Sequence, residues 1–250
     1  MRTTILAILV GVTAASAAAD DLRVMSAGAV EPGLVRLIEQ FRLQTGHTVQ
    51  VQFGSAPQLT ARLAAGQPGD VLIAPTAVMD QAVAARTVHV PTRIAVGRVG
   101  VGIVVRRGAP APDVSTVERL RNALLGADAV VFTRGSSGQY VERLLTKLGV
   151  AADIASKIVR ADDGEGLIQR LIEGKGNEIG LGAITEITQF EPKGVTLVAP
   201  LVDAVQNFTV YEAAVMTAAG APQSAARFVR FITTPEARTV LVAVGVQPPQ

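Results

Sequence analysis

The chain has 250 residues, of which 49% are hydrophobic, 18% charged and 4% aromatic, with no cysteine and no tryptophan. That length and apolar content suffice for one large or two smaller cores and exclude a disordered chain, while the missing cysteines exclude disulfides, thiol chemistry and thiolate-bound metal. Lys and Arg total 23 against 21 for Asp and Glu; the charges are scattered and stacking aromatics are few, which argues against a nucleic-acid groove or a polybasic membrane patch.

Residues 1–19 read as a secretory signal peptide, with Arg2 as the positive start, an apolar run over 5–12 and Ala17-Ala18-Ala19 as the cleavage site before Asp20. No apolar run reaches the roughly 20 residues of a membrane span. Export without disulfides points to a bacterial periplasm.

The mature chain then alternates. Residues 22–25 form a strand that ends in the small residues Ser26, Ala27, Gly28 and Ala29. A helix follows, with Pro32 in its first turn and Leu34, Leu37, Ile38 and Phe41 on one face. A strand over 49–53, the turn Gly54-Ser55-Ala56-Pro57 and a helix over 59–65 repeat the pattern. So do a strand over 70–74 and a helix over 77–85 with Thr76 as its N-cap. Residues 96–105 make a strand broken by Gly97, Gly100 and Gly102, and Ser115 with Glu118 predicts a capping box for a helix to about Leu125.

A second series begins with a strand over 129–132, the turn 133–138 and a helix over 139–148. Next come a strand over 157–160, the acidic turn Asp162-Asp163-Gly164-Glu165, a helix over 166–173, a strand over 178–182 and a helix from about Thr185. Residues 195–198 and 207–216 are extended. A helix from Pro222 places Ala225, Phe228, Val229 and Ile232 on one face, and a last helix runs from Thr234-Pro235-Glu236 through Val244 to stop at Gly245. This is an α/β chain with mostly parallel sheets flanked by helices. The expected division is a lobe of residues 20–98 plus 207–250 and a second lobe of 99–206. Hinge strands near 96–105 and 204–212 would join them, with a ligand cleft between.

Catalysis has little support. His47 and His89 occupy turns without metal-ligand spacing and read as solvated loop residues; neither a nucleophile elbow, a Walker sequence nor a dinucleotide fingerprint is present. Asp162, Asp163 and Glu165 could be a cation site, but fit better as a solvated helix N-terminus. No cofactor and no direct metal site is expected. Four turns that open helices, at 26–29, 54–57, 133–138 and 162–165, instead offer backbone N–H groups to a small anion, with Ser136, Ser137 and Arg134 as added donors; Arg134 reads equally well as a surface residue paired with an acid.

The runs VMSAGAVEPGLVRLIEQF, VQFGSAPQLTARLAAGQPGDVLIAPTAVMDQAV, GSSGQYVERLLTKLG, GLIQRLIEGKGNEIGLGAI and FVRFITTPEARTVLVAVGV resemble, in that order, the periplasmic molybdate-binding proteins of ABC importers. The resemblance spans nearly the whole mature chain and implies a two-lobe periplasmic-binding-protein fold of type II. It also implies an oxyanion ligand, partner permease and ATPase subunits in the membrane, a monomer, and no nucleic acid.

Carried over by motif, the first ligand serine of the family falls on Ala29, three residues after Ser26, and the second on Ala56, beside Ser55. A backbone-donor alanine falls on Ser137, a valine donor on Glu165, and the ligand tyrosine near Ala183. Three hydroxyl donors are thus absent. The expected site is Ser26, Gly28, Ala29, Ser55, Ala56, Arg134, Ser136, Ser137, Glu165 and Ala183. The expected function is delivery of a small anion to an importer: molybdate or tungstate by resemblance, or a small organic acid. In the latter case Arg134 and Arg160 would hold a carboxylate, and Glu165 would accept from a hydroxyl or amine. Two other readings are an exported enzyme, disfavoured for want of a nucleophile–base pair, and a sensory module presenting its closed form to a membrane receptor.

Overall fold

The computed structural model describes residues 19–249, so the signal peptide expected over 1–19 lies almost wholly outside the described residues. Strand Asp21–Ala27 (β1) passes through the 3-10 turn Gly28–Val30 into helix Glu31–Thr45 (α1). Pro32 sits in the first turn of α1, and Gly46, at φ 76°, ends it in the left-handed region that glycine adopts at no steric cost. Leu34, Leu37 and Phe41 are buried as their spacing predicts, and the Phe41 ring meets Phe228 at 5.1 Å and Phe231 at 5.3 Å between centroids. Strand Thr48–Gly54 (β2), helix Ala56–Ala64 (α2), strand Val71–Pro75 (β3) and helix Thr76–Ala84 (α3) complete the first βα series. β1 lies parallel between β2 and β3. All five residues of β3 are buried, as a strand covered on both faces requires.

Strand Ile94–Arg106 (β4) is shared. Its residues Ile94 to Gly100 pair with strand Phe208–Val215 (β9), while Val101 to Val104 pair with strand Glu178–Ala183 (β7) and Gly102 to Arg106 with strand Val195–Pro200 (β8). Between these lie helix Val117–Gly126 (α4), strand Ala129–Thr133 (β5), helix Ser136–Lys147 (α5), strand Ile158–Ala161 (β6), helix Gly164–Glu173 (α6) and helix Ile184–Phe190 (α7). Helices Pro222–Phe231 (α8) and Pro235–Val242 (α9) close the chain. The result is mixed α/β, a curled sheet of order β2-β1-β3-β9-β4-β7-β5-β6 flanked by helices, with β8 also on β4. Among the described residues no helix is long and apolar enough to cross a membrane.

Burial follows the strands' period of two. Val130 and Phe132 of β5 face α4 and α5, whereas Ala129 and Val131 face α6 and α7. The core of the first half gathers β1, β3 and β9 with α1, α3, α8 and α9. Helix α7, although between β7 and β8 in sequence, leans on that first half: the Thr185 hydroxyl donates to the Ala29 carbonyl at 2.6 Å. The glycines of β4 admit neighbours rather than merely weakening the strand. A Cβ at Gly97 would lie 2.5 Å from Val246 Cγ1, where the returning tail lays Gln247 against Arg98. The chain crosses between the halves twice, at Gly100–Val101 and between β8 and β9. Gln206 ties the crossings together: Oε1 accepts from Val101 N and Asn207 N, both at 2.9 Å, and Nε2 donates to the carbonyls of Val101 (3.1 Å) and Leu201 (3.2 Å).

Three local expectations need correction. Thr76 is the first residue of α3 rather than its N-cap; Pro75 holds that position, and the Thr76 hydroxyl reaches the Val210 carbonyl instead. The capping box of Ser115 and Glu118 is absent, because Asp113 engages the Ser115 hydroxyl at 2.7 Å and Thr116 caps α4, accepting from Arg119 N. His47 is not solvated: it is buried, stacks on Phe41 and accepts from the Asp20 N–H at 2.9 Å through Nδ1.

Candidate functional site

Five helix beginnings meet at one small pocket. The 3-10 turn before α1 contributes Gly28 and Ala29, α2 contributes Ser55 and Ala56, and α5 contributes Gly135, Ser136 and Ser137. The start of α6 contributes Asp163 and Gly164, and that of α7 Ala183 and Glu186. Ala27, Gly54, Pro75, Thr133 and Tyr211 complete the wall. The first N–H groups of a helix have no intrahelical acceptor, and no side chain caps the 3-10 turn, α5 or α7. The pocket therefore concentrates free donors and the positive ends of helix dipoles.

No Lys, Arg or His lines it. The side-chain polarity comes from hydroxyls and acids. Ser55 Oγ is buried without a hydrogen-bonding partner, while Thr133 Oγ1 accepts from Gly135 N at 3.2 Å. Tyr211 is 5% exposed, and burial, with the nearby charge of Glu186, pushes its phenol well above the ordinary tyrosine range. The Glu186 carboxyl lines the cavity. Burial, then the charges of Asp163 and Glu31, push it from 4.5 up to about 7. A Cβ placed on either Gly28 or Gly164 would come within 2.7 Å of that carboxyl, so it is wedged between the two backbones.

Hydrogen bonds bridge the two walls. Gln58 Oε1 accepts from Ser55 N at 2.7 Å at the start of α2, and Gln58 Nε2 donates to Asp163 Oδ2 at 3.3 Å. Asp163 Oδ1 in turn caps α6, accepting from Gly166 N at 3.0 Å. One amide thus links the beginnings of two helices that belong to different halves of the sheet. Beyond Gly28, Gly54, Asp163, Gly164 and Glu186, which line both spaces, a wider chamber opens toward Glu31, Gln58, Arg62 and Lys193.

Gly28, Ala29, Ser55, Ala56, Ser136, Ser137 and Ala183 all line the pocket. Ser26 does not, because it is fully buried in the strand and its hydroxyl donates to the Ala27 carbonyl at 3.2 Å. Arg134 does not either: its backbone N–H is held by the Ala161 carbonyl and its side chain turns outward to Asp162 at 3.3 Å. Arg160 pairs with Glu142 on the outside and lies over the Phe132 ring. Glu165 borders only the outer chamber, 74% exposed and paired with Lys193. Asp163, read above as one of several solvated acids, is a lining residue.

Sequence reasoning misses Glu186 and Tyr211, and reaches Thr133 only as the first residue of the turn 133–138. The one available signal for Glu186 was an acid in the first turn of a helix that follows a fully buried strand. For Tyr211 it was one of only two tyrosines in the chain, placed in the long strand that returns to the first half. Among the described residues, no three His, Asp or Glu side chains converge closely enough to hold a metal ion.

Comparison with known proteins agrees with this architecture. The family model for bacterial extracellular solute-binding proteins matches residues 22–247. The periplasmic molybdate-binding protein of Azotobacter vinelandii superposes with a TM-score of 0.74 at 20% identity, covering 92% of this chain and all of that one. The sulfate-binding protein of Mycobacterium tuberculosis superposes with a TM-score of 0.74 at 17% identity, over 92% of this chain and 87% of its own. An aconitate isomerase from a Pseudomonas species is 24% identical over 235 residues, 91% of this chain and 87% of the isomerase. With helix beginnings around one central pocket and a family model spanning nearly all of the described residues, the chain belongs to the bacterial extracellular solute-binding proteins.

Proposed function

We propose that the protein is a periplasmic receptor that captures a small organic anion and presents it to the membrane subunits of an importer. The observation that carries this reading is the convergence of five helix beginnings on a pocket without a basic side chain. Backbone donors and partial dipole charges favour an anion there without adding a fixed counter-ion. The side chains disfavour a bare tetrahedral dianion. Alanine stands at positions 29 and 56, where the resemblance implies hydroxyls, and two acids, Asp163 and Glu186, share the wall. Each lost hydrogen bond to a desolvated anion costs about 1.5–3 kcal/mol, and an ionised Glu186 repels any dianion.

A thermal-shift comparison of molybdate, tungstate and sulfate with small mono- and dicarboxylates tests the reading. A ligand at 100 times its Kd stabilises by about 2.7 kcal/mol, or roughly 5–11 °C in a chain of this size. Shifts with carboxylates and none with the metal oxyanions are expected. Tight binding of molybdate or tungstate overturns the organic-anion assignment, and no shift with any anion overturns the receptor reading.

A second reading rests on Glu186. A carboxyl that titrates near neutrality, beside a buried phenol, is suited to taking a proton from carbon and returning it to another position. The relative named aconitate isomerase acts by name on an unsaturated tricarboxylate. Incubation with aconitate in D2O, followed by NMR, decides this. Deuterium incorporation that disappears in Glu186→Gln establishes turnover, and unchanged spectra exclude it for that substrate.

A further inference from the structure

The boundary between the inner pocket and the outer chamber carries charge that an anion alone does not explain. Glu186 and Asp163 line both spaces, and Glu31 faces the outer one. The cations of that chamber are engaged elsewhere. Lys193 pairs with Glu165 at 3.3 Å and lies over the Phe190 ring at 4.5 Å, while Arg62 donates to the carbonyls of Gln52 and Phe53 at 3.3 and 3.0 Å. Among the described residues Glu186 has no ion-pair partner, although its carboxyl is enclosed between the backbones of Gly28 and Gly164. Enclosing an unpaired carboxylate is costly unless a cation or a donor meets it. Since the acids do not converge as metal ligands, the fitting partner is one that brings its own N–H groups.

The inner pocket asks for the opposite charge, with helix beginnings, the unpartnered Ser55 Oγ and the Tyr211 phenol all offering donors. The donor groups line the inner pocket, and the acids Asp163 and Glu186 line both that pocket and the outer chamber. We infer that the ligand is a zwitterion, its anionic head in the inner pocket and an ammonium group at the boundary against Glu186 and Asp163. The missing Cβ atoms at Gly28 and Gly164 make room for the Glu186 carboxyl itself, which holds it at the boundary between the two spaces. This inference rests on the anion-receptor reading above and narrows it to amino-bearing acids.

The test uses matched pairs that differ only in the amine: glycine and acetate, β-alanine and propionate, aminomethylphosphonate and methylphosphonate, each titrated calorimetrically into the full mature protein. The amino member of at least one pair is expected to bind tenfold or more tightly than its partner, with Glu186→Gln bringing the ratio close to one while the anionic head still binds. Asp163→Asn, which retains an N-capping side chain, serves as the second variant and is expected to lower the same ratio. If the plain acids, or a tricarboxylate, bind as tightly as the amino acids, the zwitterion assignment is wrong and the anion-receptor reading stands. If no member of any pair and no oxyanion binds, the receptor reading itself fails. An amine preference that survives intact in both variants also overturns the inference.

Discussion

The carboxyl of Glu186 gives the sharpest stability prediction. In the unfolded chain it titrates near 4.5, whereas burial and the charges of Asp163 and Glu31 move it to about 7 in the fold. Between those values the native state keeps a proton that the unfolded state has released. Stability therefore falls as pH rises through this window and levels off above it. A displacement of that size corresponds to about 3 kcal/mol at full effect, and water entering through the cavity reduces it to roughly 1–3 kcal/mol. Glu186→Gln removes the titration and keeps the shape. The variant should match the wild type near pH 4 and exceed it at pH 8, by roughly 2–12 °C in Tm. Paired thermal melts from pH 4 to 8, together with guanidinium titrations at the two extremes, measure the difference. A gap that stays constant with pH, or a variant less stable than wild type at pH 8, refutes the placement of this carboxyl. The groups facing it are Asp163, Glu31 and Tyr211, with Glu165, Lys193 and Arg62 farther out in the chamber.

Other substitutions probe the frame around the site. Gly138→Ala would drive a Cβ into the Thr133 carbonyl oxygen; displacing backbone there should cost more than about 4 kcal/mol, read as lost expression or a collapsed circular-dichroism melt. Asp70 is buried and accepts from the N–H groups of Arg23 (2.7 Å), Gly220 (2.7 Å) and Ala221 (3.4 Å), joining β1 to the loop before α8. Asp70→Ala strands those donors and should lower stability by about 3 kcal/mol in urea unfolding. Gln58→Glu preserves the acceptor for Ser55 N but turns a carboxylate toward Asp163. Ligand affinity should drop about tenfold by calorimetry, with the melting temperature of the ligand-free protein nearly unchanged.

The contrast between Leu37 and Glu186 shows what a single sequence can disclose. Helix α1 shows its buried face through the spacing of Leu34, Leu37 and Phe41, and β3 shows its burial through an unbroken apolar run, because both signals are local. The turn residues Gly28, Ala29, Ser55, Ala56, Ser136 and Ser137 were legible for the same reason: small residues between a strand and a helix mark where the backbone is left open. Glu186 and Tyr211 reach the pocket only because α7 folds back against the turn before α1 and β9 inserts between β3 and β4. No local pattern encodes either event. The arginines failed for a related reason. Arg134 and Arg160 have nearby acids, Asp162 and Glu142, that hold their side chains outside, and the side on which a turn residue points is decided by such partners.

The clamp formed by Gln206 bears on how the pocket could open. Its four hydrogen bonds fasten both crossings of the chain at one point, so sliding one half past the other would break them together, whereas swinging about that point would leave them intact. Were the two halves to move against one another, the amide would serve as an axle, opposing shear and leaving rotation. Because the axle is unchanged by such a swing, the balance between parted and joined walls is left to what spans the gap. In this protein that is the Gln58 amide on Asp163, the Thr185 hydroxyl on the Ala29 carbonyl, and whatever molecule lies between the helix beginnings.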